Sequence, residues 1–71
     1  MVERDVFHSI DEEVRTYYFP DENKFEFKKV TALYVSSESE NHRLEMADGG
    51  KAIVAPGWLV IYIEGANGWS V

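Results

Sequence analysis

The chain contains no cysteine among its 71 residues, so neither a disulfide nor a cysteine-ligated zinc site can staple it. It is poor in positive charge: 7 Lys and Arg stand against 13 Asp and Glu, for a formal net charge of −6. That sign disfavours a general phosphate-backbone binder, which needs clustered cations, and an anionic membrane surface. Long apolar runs are missing too. The longest, Trp58 to Ile63, is far too short for a membrane-spanning helix. The opening Met1-Val2-Glu3-Arg4-Asp5 lacks the basic start and apolar stretch of a signal peptide. Absence of cysteine fits a reducing compartment.

What remains must fold by packing. The composition is 45% hydrophobic and 14% aromatic, with two Trp, four Tyr and four Phe. Large rings give much buried area per residue, which excludes a disordered chain. At this length the expectation is one domain, residues 1–71, burying only about 60% of its unfolded surface. The acidity is uneven. Residues 1–26 hold eight acids against three bases, and residues 27–71 hold five against four.

Strand grammar dominates. Thr16-Tyr17-Tyr18-Phe19 favours strand, Lys24-Phe25-Glu26-Phe27 alternates, and Pro20-Asp21-Glu22-Asn23 between them is turn chemistry. Phe25 and Phe27 share a parity, whereas Val30, Ala32 and Tyr34 take the other. The switch falls at Lys28-Lys29 and predicts a bulge or bend there. After the polar loop 36–41, His42-Arg43-Leu44-Glu45-Met46 and Lys51-Ala52-Ile53-Val54 flank Asp48-Gly49-Gly50, the clearest hairpin signal in the chain. Residues 58–63 are apolar on both parities and read as a central strand buried on two faces. Gly65-Ala66-Asn67-Gly68 reads as a further turn and Trp69-Ser70-Val71 as a short closing strand.

Residues 9–18 admit two readings. Ser9 with Glu12 matches a capping box, and Ile10, Val14, Tyr17 and Tyr18 recur at helical spacing. The β-branched and aromatic run 14–19 favours a strand from about residue 13, with 1–12 irregular or holding one helical turn. The fold expected is mostly β. It has five or six short antiparallel strands in a meander, curled into a small SH3-like barrel or a strongly bent sheet.

Chemistry is thin. His8 and His42 are the only imidazoles, and neither sits in a metal-ligand spacing. Ser36, Ser37 or Ser39 with His42 and Glu45 can be written as a catalytic triad, but no nucleophile elbow surrounds them. No enzyme, metal or cofactor is expected. Lys28, Lys29, Arg43 and Lys51 could form a modest basic patch near Tyr34 and Trp58 if their strands pair, a poor nucleic-acid platform on so acidic a chain. The acids Asp11, Glu12, Glu13, Asp21, Glu22 and Glu26 could form a face that steers a basic partner. Trp58 reads as core, and Trp69 as the better candidate for an exposed interface anchor.

The stretch from Asn41 to Lys51, with its His-Arg-Leu and Asp-Gly hairpin, then Ile53-Val54, Pro56-Gly57-Trp58 and Trp69-Ser70-Val71, resembles small phage- and prophage-encoded proteins of unassigned function. Tyr17-Tyr18-Phe19-Pro20 fits the same pattern; Gly49-Gly50 and the first fifteen residues match it least. The resemblance covers residues 16–71 and implies an accessory protein in the bacterial cytoplasm, with no catalytic residues to carry over. The leading expectation is thus a non-enzymatic protein binder. A homo-oligomer assembled by strand-edge pairing and a weak nucleic-acid-binding β module are the alternatives.

Overall fold

The structure is a computed structural model and describes residues 3–65. Five strands form one antiparallel sheet: β1 (Phe7–Tyr18), β2 (Lys24–Val35), β3 (His42–Met46), β4 (Lys51–Val54) and β5 (Val60–Glu64). Their order is β4-β3-β2-β1-β5, so β1 to β4 make a meander and β5 returns to pair with β1. Trp69-Ser70-Val71, read as a closing strand, lies outside the described residues, as do 66–68 of the preceding turn.

The turns form where their residues demand. Pro20 opens a short 3-10 turn over Pro20–Glu22, Asp21 and Glu22 take φ of 67° and 63°, and the Phe19 N–H donates to the Asn23 carbonyl. In the second hairpin Gly49 adopts φ 90°, and the Asp48 carboxylate accepts the Gly50 N–H at 2.8 Å. A residue with no Cβ enters that left-handed region without strain.

Two expectations need correction. The first strand begins at Phe7, not near residue 13, and residues 9–12 are strand rather than a helical turn. The Ser9/Glu12 spacing that mimics a capping box instead brackets an irregularity, where the β1–β2 register shifts by one residue. The other correction concerns 58–63. Instead of a central strand, β5 lies at the sheet edge among the described residues, and Leu59, Val60 and Tyr62 are exposed.

The bend expected at Lys28-Lys29 is present. Lys29 takes φ 53°, and the β2–β3 register shifts between Val30 and Ala32. Both irregularities meet at Val30, which pairs with Glu12 on one side and Met46 on the other. The chain's reach explains how far the sheet must coil. Val54 pairs with His42, and His42 with Val35, at the end of the sheet where β1 begins; Val60 pairs with Tyr18, where β1 ends. In a flat sheet these points would stand about 40 Å apart, given strand spacings of about 4.8 Å and a rise of about 3.3 Å per residue. The connection from Val54 to Val60 spans about 22 Å at most. Strong bending is therefore obligatory, although β4 and β5 do not pair and the sheet is not closed.

Inside the bend sit Tyr17, Val30, Leu33, Val35, Leu44 and Val54, with Phe19, Phe27, Trp58 and Ile61 packed around them. Four polar side chains are also buried: Glu12, Arg15 and His42 on the core side, and Thr16 on the other face of β1. A core this small gives them an unusually large share, and three of the four belong to one network.

Candidate functional site

Arg15 and Tyr17 stand two apart on β1 and so share a face. The Arg15 Nε–H donates to the Tyr17 hydroxyl oxygen at 2.9 Å, and Nη1 donates to both carboxylate oxygens of Glu12 at 3.0 and 2.7 Å. Glu12 and Arg15, three apart, would lie on opposite faces of a regular strand. They meet because the sheet bends beside them: between their partners Val30 and Phe27 on β2 lies Lys29, in its left-handed conformation. Both are sequestered, Arg15 at 0% and Glu12 at 1% relative exposure.

The network continues to β3. The Tyr17 hydroxyl lies 2.7 Å from His42 Nδ1. Arg15 donates to that oxygen and no other acceptor is hydrogen-bonded to it among the described residues, so we assign its proton to the bond with His42. That leaves Nδ1 as acceptor and Nε2 as the protonated nitrogen. The His42 ring packs against Trp58 with centroids 4.5 Å apart, and Trp58 in turn meets Tyr17 edge-on at 5.1 Å. Burial, then the positive charges of Arg15 and Arg4, pull the His42 pKa down to about 4, so the imidazole is neutral at pH 7. Burial likewise raises the Tyr17 pKa and keeps its proton on.

His42 and Trp58 also line a cavity of about 350 Å³, with Val35, Pro56 and Gly57. Arg4 and Glu40 complete it and form its rim, a half-exposed ion pair at 3.7 Å. The serines stay apart from this histidine: Ser37 bonds Asp5 and Ser36 bonds Ser39, so His42 meets a phenol where a triad needs a nucleophile. His8 bonds the Glu3 carbonyl instead. Among the described residues, no cluster of three or more His, Asp or Glu is placed to hold a metal ion.

The sequence-predicted acidic face is dispersed. Glu12 is not part of it at all, being buried against Arg15, because a guanidinium taken into the core needs a carboxylate with it. Asp11 lies within the β1 irregularity and Glu13 just after it, Asp21 and Glu22 occupy the hairpin tip, and Glu26 lies on β2 opposite Thr16. Asp11 and the end of β1 at Tyr18 are about 23 Å apart along the strand. The basic residues divide too. Arg43 and Lys51 line one largely apolar pocket with Phe7 and Ile53, whereas Lys28 and Lys29 sit at the bend. Arg43 lies over the Tyr34 ring at 5.0 Å, and Tyr34 contacts Phe7 at 5.1 Å. Trp69 lies outside the described residues.

One surface stands out by its apolarity. Val60 and Tyr62 project from β5 beside Tyr18 and Thr16 of β1, and Leu59 at the strand's start is 72% exposed. On the same face Glu26 pairs across with Thr16, and Glu64 accepts a hydrogen bond from the Tyr62 hydroxyl at 2.9 Å. No family model, curated protein or solved structure matches the chain.

Proposed function

We propose that this chain is a non-enzymatic protein-binding module, a phage-type accessory protein of the bacterial cytoplasm that docks a host or phage protein on the outer face of β5 and β1. The supporting observation is the exposure of Val60 and Tyr62 on the edge strand β5, with Tyr18 beside them on β1 and Leu59 just before β5. Contiguous apolar surface on so small a protein costs solubility, and interfaces are where it is retained. Glu64, bonded to Tyr62, and Glu26 on the far side of Thr16 favour a partner whose apolar contact is rimmed by Lys or Arg. The dispersed acids Asp21 and Glu22 then act by steering rather than by contact.

The test is affinity capture from bacterial lysate by wild type, by Val60→Glu/Tyr62→Glu and by Asp21→Lys/Glu22→Lys. The purified partner is then titrated against each. The β5 variant should weaken binding by about 30-fold or more, as loss of a central anchor does, with an unchanged melting temperature. The tip variant should slow association and flatten its salt dependence. Equal affinity of the β5 variant and wild type would sink the assignment. The same exposed edge also supports self-assembly. Sedimentation of the purified chain above 8.2 kDa, abolished by Val60→Glu, would favour that second reading.

A further inference from the structure

We propose that the cavity floored by His42 and Trp58 binds a small carboxylic acid with a flat apolar body, its carboxylate held between His42 and Arg4. This site lies apart from the β5 face and stands independently of the protein-binding reading.

Two features give the cavity its polarity. His42 is buried, lines the cavity, and has Nδ1 committed to Tyr17. Its remaining nitrogen is an N–H donor, oriented by a relay whose far end is the Arg15–Glu12 pair. Such a donor cannot rotate away to water, which is what a preorganised site requires. At the rim, Arg4 offers a planar fork suited to a carboxylate. Its present partner Glu40 is a long contact at 3.7 Å between half-exposed groups, worth little and readily displaced. Arg4 is nonetheless positioned: the adjoining Asp5 donates its N–H to the Val35 carbonyl at 2.8 Å and accepts the Ser37 N–H at 2.9 Å.

The walls set the rest of the ligand. Trp58, Pro56 and Val35 are apolar, and about 350 Å³ is at the small end of ligand pockets, enough for a single ring. One guanidinium with Glu40 beside it suits a single negative charge. Phosphate, carrying more charge and needing more donors, would be repelled by Glu40 and left unsatisfied.

The probe is phenylacetate, titrated into the ¹⁵N-labelled full chain at pH 7, with phenylacetamide and inorganic phosphate as controls. Phenylacetate should produce saturable shifts at the Trp58 indole N–H and the Gly57 amide. Both controls should bind at least about tenfold more weakly. The His42 pKa should rise on binding, since the carboxylate offsets Arg4 and Arg15, with Tyr17 and Glu12 on its other side and Glu40 at the rim. Arg4→Gln, an exposed change that leaves the core intact, should weaken binding by about tenfold, the loss of roughly 1.4 kcal/mol. Equal binding of the acid and the amide would overturn the carboxylate assignment. Absence of saturable shifts at Trp58 and Gly57 through the millimolar range would overturn the site.

Discussion

Replacing Glu12 by leucine removes the carboxylate that both short bonds from Arg15 Nη1 require, and leaves a guanidinium in the core of a very small domain. Arg15 Nη2 is already buried without a hydrogen-bond partner among the described residues, so the residual charge has little to fall back on. Breaking one side of a buried ion pair costs about 3–5 kcal/mol. Total stability at about 0.05–0.15 kcal/mol per residue comes to roughly 4–11 kcal/mol for this length. Glu12→Leu should therefore remove a large share of the total stability, and nearly all of it at the lower end of that range. Arg15→Met should also destabilise, by removing the cation beside the buried Glu12 carboxylate and the donor to the Tyr17 hydroxyl oxygen. The double variant Glu12→Leu/Arg15→Met should recover most of the loss, because apolar replacement of a whole buried pair is commonly neutral or stabilising. Urea unfolding followed by tryptophan fluorescence gives the three free energies and their coupling, expected above about 2 kcal/mol. Additive losses, or a Glu12→Leu cost below about 1 kcal/mol, would refute the claim that the pair is dry and mutually dependent.

Acid should act through His42. Its pKa falls from 6.5 to about 4 on folding, so the unfolded chain takes up the proton first as pH drops. This contribution to stability is complete above pH 6.5 and is lost between 6.5 and 4, at most about 3 kcal/mol; an imidazole that titrates near 6.5 by NMR would contradict it. At Gly49, φ is 90° and an added Cβ would meet nothing within 4 Å, so Gly49→Ala should cost about 1 kcal/mol of backbone strain alone. Gly65→Ala adds to a φ of 76° a Cβ only 2.7 Å from the Glu13 Cγ and 3.2 Å from its backbone nitrogen, and should cost clearly more. Equal melting temperatures for these two variants would count against the β1–β5 contact.

Local features of the fold are legible in the sequence, and those set by distant pairing are not. Proline, Asp-Gly and the parity switch at Lys28-Lys29 each encode backbone geometry within a few residues, and each hairpin or bend lies where those residues put it. The start of β1 was hidden because Ser9 and Glu12 carry a helix-cap spacing, while the register shift that uses them depends on pairing with β2. Residues 58–63 look central because every one is apolar. Only the strand order, which places β1 and β2 in the middle, turns that run into an edge. The relay was invisible for a related reason. Glu12 counts as one more surface acid until Arg15 is known to be inside, and Tyr17 and His42 are brought together only by the paired strands. The one available hint was Arg15-x-Tyr17, an alternation that commits a cation to the same face as a core ring.

The connection between residues 54 and 60 has a consequence for how the protein comes into being. It joins the two edges of the sheet, so β1 acquires its second neighbour only when the last described strand is in place. Until then the Val14–Tyr18 stretch of β1 is an open edge, and Ile61 is not yet packed on the core. The outer face that Val60 and Tyr62 form with Tyr18 therefore exists only in copies to which β5 has been added.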